Sequence, residues 1–388
     1  MALFPFGKKK ARSVALIDIG SASVGGAYVH YEEGKTPIIY YTARVDVEIR
    51  EGETIRDGML RSLAFLERLL IEEGAPALRR ETGSAVIEKV LVSVAAPWQE
   101  TLVTTTNIQQ RTAFTFTHAH LADAVKRTEI VAKDRVSSGH TVVATILNGY
   151  ETPNPFGKRV TRAELVILAS TLEKEAAHAI EASLRKAFHT NEIELTAFAP
   201  VAYTVFRDLY PHQKDFVVLD VSGTGTDAAF VKRGLLVEVR SVAYGTQDLL
   251  IAAKKAGQRA HLSAVDMIDP VANDSFAKES EEAERIWLDG LHGAFSSVAG
   301  VQALPRTLLL LADTEAREYL KRTLEKSRLR TLWLSDEPLS VIPITPSHLA
   351  SRVKTRGLGD GDLFLALLAL YAAHGTGLPP LAEAPESV

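Results

Sequence analysis

Two stretches far apart in the chain decide its fold: Ala15-Leu16-Ile17-Asp18-Ile19-Gly20-Ser21-Ala22-Ser23-Val24-Gly25-Gly26 and Phe216-Val217-Val218-Leu219-Asp220-Val221-Ser222-Gly223-Thr224-Gly225-Thr226-Asp227. Each is an apolar strand that ends in Asp and runs into a turn of Gly, Ser and Thr. Side chains this small leave backbone amides uncovered, and amides beside a carboxylate suit a phosphate held with a metal ion nearby. A single copy has the composition of an ordinary tight hairpin. The second copy changes the reading, because both continue alike. Each enters a second strand (Ala27-Tyr28-Val29-His30-Tyr31; Ala228-Ala229-Phe230-Val231-Lys232) and then a turn (Glu32-Glu33-Gly34-Lys35; Arg233-Gly234). These are duplicated hairpins with internal symmetry, the halves of one phosphate clamp.

Composition narrows the rest. A chain of 388 residues divides into two or more domains with substantial cores. A net charge of -4 gives no electrostatic case for nucleic acid as a partner. The absence of Cys excludes disulfides, thiolate chemistry and Cys-ligated zinc, and fits a cytoplasmic protein. Three lysines open the chain, but no apolar stretch of secretory length follows before Asp18, so no signal peptide is expected. The longest apolar run, Leu363 to Ala373, is shorter than the roughly 20 residues of a membrane-spanning helix and reads as a buried core helix. Beyond His374 the Gly, Pro, Ala and Glu composition predicts disorder, with no direct membrane insertion.

The paired hairpins resemble the actin/Hsp70/sugar-kinase superfamily, in which two like domains each offer an Asp-Gly hairpin to the phosphates of ATP in the cleft between them. Within it, the chain is most similar to the bacterial branch that contains the pilus assembly protein PilM and the division protein FtsA. Asp18-Ile19-Gly20-Ser21-Ala22-Ser23-Val24 resembles the first phosphate segment of PilM-like proteins, after the basic opening Phe6-Gly7-Lys8-Lys9-Lys10. The second segment runs through Gly234-Leu235-Leu236 to Val242-Ala243-Tyr244-Gly245-Thr246-Gln247-Asp248 as in that branch. Leu147-Asn148-Gly149-Tyr150-Glu151 with Asn154-Pro155-Phe156-Gly157-Lys158-Arg159 resembles the small inserted (SHS2) domain of the branch.

The resemblance implies an α/β, actin-like (ribonuclease H-like) two-domain fold with duplicated phosphate hairpins and a small inserted α+β domain. It places ATP and magnesium in the cleft, with Asp18 and Asp220 as the catalytic carboxylates holding the metal through water. Gly20, Ser21, Ser23, Gly223, Thr224, Gly225, Thr226, Asp227 and Gly245 then face the phosphates, and Ala312 and Asp313 face the adenosine. Three positions depart from the family pattern. Gly25 stands where PilM-like clamps carry a basic residue, so a cation beside the phosphates is expected to be missing. Ser222 stands where the second clamp has Gly. The adenosine segment, an apolar strand followed by Gly-Gly in the family, here runs from Thr307-Leu308-Leu309-Leu310-Leu311 into Ala312-Asp313-Thr314, whose side chains are expected to crowd the base or ribose.

Apolar periodicity gives a coarse partition. Residues 13–88 are the first part of domain one, with a helix from Met59 to Glu73 and then a loop of Gly, Ala and Pro. Residues 89–171 form the inserted domain, with strands Val90 to Val94, Leu102 to Thr106, Thr141 to Leu147 and Leu165 to Ala169 and a helix from His120 to Lys133. Residues 172–212 return to domain one through helices at Glu173 to Ala187 and Pro200 to Leu209. Residues 213–345 are domain two, 346–375 carry the final helix back to domain one, and 376–388 are the tail. His118-Ala119-His120 reads as a surface cluster at a helix start. Ser137-Ser138-Gly139-His140 has no triad context, and Lys278-Glu279-Ser280-Glu281-Glu282 is a solvated helix face.

Three functions share this reading. The first is a cytoplasmic ATP-binding adaptor of a type IV pilus or related machine, at most a slow ATPase. The resemblance gives it a short cytoplasmic peptide of a PilN-like membrane protein as partner, peripheral placement at the membrane, and room for self-association. The second is an FtsA-like polymerising division protein; such proteins often end in a basic amphipathic helix, which the acidic tail here is not. The third is a nucleotide-free scaffold on the same fold.

Overall fold

A computed structural model describes residues 11–128, 132–250, 274–333, 339–356 and 361–374. The tail beyond 375 lies outside the described residues. The strands are β1 (Arg12–Ile19), β2 (Ser23–Tyr31), β3 (Ile38–Asp46), β4 (Val90–Val94), β5 (Gln99–Thr115), β6 (Arg135–Leu147), β7 (Tyr150–Glu151), β8 (Arg159–Glu173), β9 (Ile193–Ala197), β10 (Phe216–Val221), β11 (Thr226–Lys232), β12 (Leu235–Val242), β13 (Thr307–Leu311), β14 (Ser340–Pro343) and β15 (Lys354–Thr355).

Two sheets repeat one plan. In the first the order is β15-β3-β2-β1-β4-β9, and in the second β12-β11-β10-β13-β14. In both, an antiparallel meander of three strands is extended by two parallel strands on the far side of the strand that ends in Asp. The duplication anticipated from the hairpins thus extends to whole sheets. A third sheet, β5-β8-β6-β7, is inserted between β4 and β9.

Period-two alternation sorts the strand residues onto two faces. Val14 and Leu16 of β1 and Val218 of β10 face a shared core with the helices Phe198–Leu209 and Leu363–His374, which lie between the two large sheets. Ala15 and Ile17 face outward onto Met59, Leu63, Leu66 and Ile180. Val217 and Leu219 do the same in the second lobe against Trp287, Leu291, Phe295 and Leu320. The helix Leu363–His374 has Leu365, Leu367, Leu368 and Ala369 fully covered. Its carbonyls at Ala369 and Ala372 accept hydrogen bonds from Tyr31 Oη (3.0 Å) and Arg12 Nη2 (3.1 Å), which tie it to the first sheet. The inserted sheet has its own small core around Phe116, Leu121, Val160 and Leu165.

Three expectations are corrected. Val90–Val94, expected in the inserted domain, is β4 of the first large sheet, between β1 and β9. The Gly-Ala-Pro stretch after Glu73 is not a loop: the helix Ile55–Leu69 continues through a π-helical turn, Leu70–Gly74, into a second helix, Ala75–Thr82. Pro76 lies just past the π-helical turn, where a residue with no N–H to donate interrupts the helical ladder. The helix expected to reach Lys133 spans His118–Lys126. The inserted strands also run past the apolar segments that mark them, because β5 and β8 form a long ribbon whose outer half is polar.

Gly74 is needed for contact. A Cβ there would lie 2.8 Å from the Tyr28 ring and 2.9 Å from the Tyr41 ring. Replacement by Ala improves helix propensity by about 1 kcal/mol, whereas overpacking costs about 1–3 kcal/mol. Gly74→Ala is therefore expected to lower stability in urea unfolding; a more stable variant would show that the two rings yield freely.

Candidate functional site

The carboxylates of the two strand ends meet at the cleft between the large sheets. Asp18 is buried opposite Gly25 on β2 and beside Ser93 on β4. Its Oδ1 accepts a hydrogen bond from Ser93 Oγ (2.9 Å), and its Oδ2 accepts one from Arg44 Nη2 (2.9 Å). Asp220 is paired across the second hairpin with Asp227. Asp227 is held by Ser241 Oγ (2.5 Å) and by Gln99 Nε2 at the start of the inserted sheet. Asp313, at the start of the helix Thr314–Lys326, lines the same cleft.

Arg44 on β3 supplies the positive charge that the sequence pattern lacked at position 25. It stands directly across from Gly25 in the meander. A Cβ on Gly25 would lie 2.6 Å from Nη2, so the bare glycine is what lets the guanidinium pass over β2 to Asp18. The same guanidinium donates from Nε to Asp362 Oδ2 (2.6 Å), from Nη2 to Asp362 Oδ1 (3.0 Å) and from Nη1 to Ser23 Oγ (2.9 Å). It also lies 5.3 Å from the centroid of the Phe364 ring. The expectation of a missing cation is thus corrected, and Arg44, Asp362, Ser93 and Phe364 join the site.

The two turns touch. Ser21 Oγ and Ser222 Oγ are 2.8 Å apart, and the Thr224 N–H donates to Ser21 Oγ (3.0 Å). A Cβ on Gly223 would lie 2.8 Å from the Ala22 nitrogen, so the lobes meet backbone to backbone. Gly245 packs as closely, since its Cβ would fall 2.2 Å from the Ser222 carbonyl oxygen. The carbonyls of Ser222 and Gly223 accept from the N–H groups of Thr246 (2.9 Å) and Gln247 (2.8 Å). Gly20 closes the first turn by donating to the Ser23 carbonyl (3.0 Å), and a Cβ on Gly225 would meet Ala96 at 2.9 Å.

Thr226 faces away from the cleft: its hydroxyl accepts from Trp287 Nε1 (3.0 Å) and donates to the Tyr244 carbonyl (2.8 Å). Thr224 Oγ1 is buried without a hydrogen-bond partner. Ala312 is fully buried and its carbonyl accepts from Arg317 Nη2 (3.3 Å). His118 stacks on Phe156, with ring centroids 3.7 Å apart, while His120 Nδ1 lies 2.8 Å from Thr117 Oγ1 at the helix start. Among the described residues, no group of three His, Cys, Asp or Glu side chains is placed to hold a metal ion.

Fit to a nucleotide is decided by volume. The cavity between Asp18, Arg44, Asp220, Ser222, Asp313 and Phe364 measures about 20 Å³. That is little more than the roughly 10–15 Å³ that admits one water, against the roughly 300 Å³ at which small-ligand pockets begin. Among the described residues, this cavity has no room for ATP and its magnesium. A larger groove of about 760 Å³ opens on the other side of β3, lined by Val45, Asp46, Glu48, Arg61, Phe65 and Arg68 among others.

The topology is that of an actin-like fold: two sheets of one strand order, each presenting an Asp-ended hairpin to a common cleft. No family model matches the chain, and no curated protein matches it. Among solved structures, it superposes on one described as the PilM-PilN type IV pilus biogenesis complex, with a TM-score of 0.50 at 14% identity, over 94% of this chain and 98% of that one. It also matches a Bacteroides thetaiotaomicron protein with an actin-like ATPase fold (TM-score 0.42, 10% identity, 95% and 99% covered). A third match is the ethanolamine utilization protein EutJ of Carboxydothermus hydrogenoformans (0.39, 12%, 95% and 91%). These last two superpose too loosely to carry an argument.

Burial raises the carboxyls of Asp18, Asp220, Asp227 and Asp313 above the usual range. For Asp220 the neighbouring Asp227, Asp18 and Asp313 add to the effect. Asp362 goes the other way: burial opposes ionisation, but the Arg44 charge overrides it and lowers the carboxyl. A carboxyl raised on folding binds a proton more tightly in the native state, so its contribution to stability falls as pH rises from the ordinary carboxylate value through the raised one. Asp362, lowered on folding, does the reverse: its contribution is fully present above the ordinary carboxylate value and is lost as pH falls through the lowered one. Asp220→Asn is therefore expected to raise the melting temperature at pH 8 by about 2–4 °C, equivalent to about 1 kcal/mol, and to leave it nearly unchanged at pH 4. Equal effects at both pH values would contradict a buried acid under charge repulsion.

Proposed function

We propose that the chain is a PilM-like cytoplasmic adaptor that receives a short cytoplasmic peptide of a PilN-like membrane protein. The observation that carries this reading is the contrast between the two concavities: the nucleotide cleft is closed to about 20 Å³, and the groove beside β3 is open at about 760 Å³. The groove suits an extended peptide. Val45, Ala64 and Phe65 give it apolar surface, and Phe65 remains 45% exposed under the Arg68 guanidinium. Among the described residues, β15 pairs only with Ile38 and Ile39, which leaves the rest of the outer edge of β3 available for strand addition. Arg61 and Arg68 favour a peptide that carries acidic residues beside an apolar anchor. No helix among the described residues is long and apolar enough to cross a membrane, so a membrane partner supplies the attachment in this reading. The likeness to the PilM-PilN complex supports the fold on which such an adaptor is built.

A second reading, the nucleotide-free scaffold, is favoured by the contact between the two turns. It is compatible with peptide binding, because the groove and the cleft are lined by different residues.

Fluorescence anisotropy with a labelled N-terminal peptide of a PilN-like protein tests the adaptor. Binding in the micromolar range is expected, weakened about tenfold or more by Phe65→Ala, since truncating a buried aromatic anchor typically costs more than about 1.4 kcal/mol. Absence of binding by wild type, or identical binding by the variant, would sink this placement of the peptide.

A further inference from the structure

We propose that Arg44 is the resident cation of the cleft, standing in the place of a metal-bound nucleotide between Asp18 and the second lobe and keeping the lobes closed without one. This goes beyond the adaptor role and deepens the nucleotide-free reading. It rests on the way three departures from the family pattern fit together. Gly25 leaves the space through which the guanidinium reaches Asp18. Ser222 supplies the hydroxyl that meets Ser21 at 2.8 Å across the cleft and also donates to the Ala96 carbonyl (3.4 Å). Asp313 of the second lobe lines the same small cavity as Arg44 and feels its charge. Gly25 is thus matched by Arg44 and Ser222 by Ser21, while Asp313 brings a second-lobe carboxylate to the Arg44 charge.

Arg44 is suited to this position chemically. A guanidinium keeps its proton at every pH a protein survives, and its planar fork matches a carboxylate through two N–H groups. Here the fork engages Asp362 through Nε and Nη2, and Nη2 also reaches Asp18. Its face is covered by Phe364 and its remaining nitrogen is used by Ser23. A hydrated divalent ion entering this space would have to displace a charge that is already partly buried and holds four hydrogen bonds. In a cavity of about 20 Å³ there is no room for both.

Thermal melting of the full chain, with magnesium alone and with magnesium and ATP at millimolar concentration, tests the proposal. Wild type is expected to shift by less than about 1 °C in either case. Arg44→Met is expected to melt several degrees lower and to recover part of the loss in magnesium, as the ion takes over the carboxylates left unpaired. A clear stabilisation of wild type by magnesium and ATP would overturn the proposal, as would an Arg44→Met variant that melts like wild type or ignores magnesium. The double variant Ser222→Gly/Asp313→Gly leaves the Arg44 ion pairs intact and covers the case in which Arg44→Met does not fold. It is expected to melt lower than wild type and to gain a shift with magnesium and ATP; no change in either would count against closure by these residues. Peptide anisotropy reads the other side of β3, so the adaptor reading and this one can fail separately.

Discussion

One guanidinium makes the cleft between the lobes possible. Asp18, Asp220, Asp227, Asp313 and Asp362 are all brought to this region by strand ends and helix starts. Left alone, so many buried carboxylates would keep the lobes apart or stay protonated. Arg44 bridges Asp18 and Asp362 and so joins the first sheet to the helix Leu363–His374, which in turn forms the wall between the two lobes. In the second lobe Asp313 feels the Arg44 charge, but among the described residues no cation offsets Asp220 or Asp227. Asp227 relies on hydroxyl and amide donors, and Asp220 is left to repulsion from its neighbours. The two halves of a duplicated fold have thus diverged electrostatically while keeping the same strand order.

The sequence made the duplication legible because each hairpin concentrates its signals within a dozen positions: an apolar strand, a terminal Asp, a turn of small residues and a second apolar strand. The same strong local signals located Val90–Val94 to the residue and the helices near Glu173 and Pro200 to within two. Where tertiary contact decides, local reading failed. Gly74-Ala75-Pro76 has the composition of a loop, yet it is held helical by the packing of Tyr28 and Tyr41 against the bare glycine. Arg44 could be found only by counting register across two hairpin pairings, from Asp18 to Gly25 to Arg44. That row was available in the sequence, but a glycine in the middle of a strand gives no hint that a long side chain from the next strand lies over it. Asp362, noted only as part of an acidic turn, takes its role from a helix that returns to the first lobe from the far end of the chain.

Hydroxyl-bearing turns show a similar division. Ser21, Ser23, Thr224 and Thr226 look equivalent on paper, each a small polar residue beside a glycine or a strand end. The fold uses them differently: Ser21 and Ser23 face the cleft residues Ser222 and Arg44, Thr226 ties the indole of Trp287 to the Tyr244 carbonyl just past β12, and the hydroxyl of Thr224 is enclosed without a partner. Pleat and register, which alternate at every residue, separate neighbours that composition treats alike.

The inserted sheet enters and leaves the first lobe at a single point. β5 and β8 pair from their ends, Gln99 opposite Leu172, and the Glu173 N–H donates to the Trp98 carbonyl at 2.8 Å. The strands on either side of the insertion, β4 and β9, are adjacent and parallel in the same sheet. A module attached through two neighbouring chain ends can be acquired, exchanged or lost over evolutionary time without rethreading its host. The inserted sheet is therefore the part of this architecture most open to replacement without disturbing the two lobes.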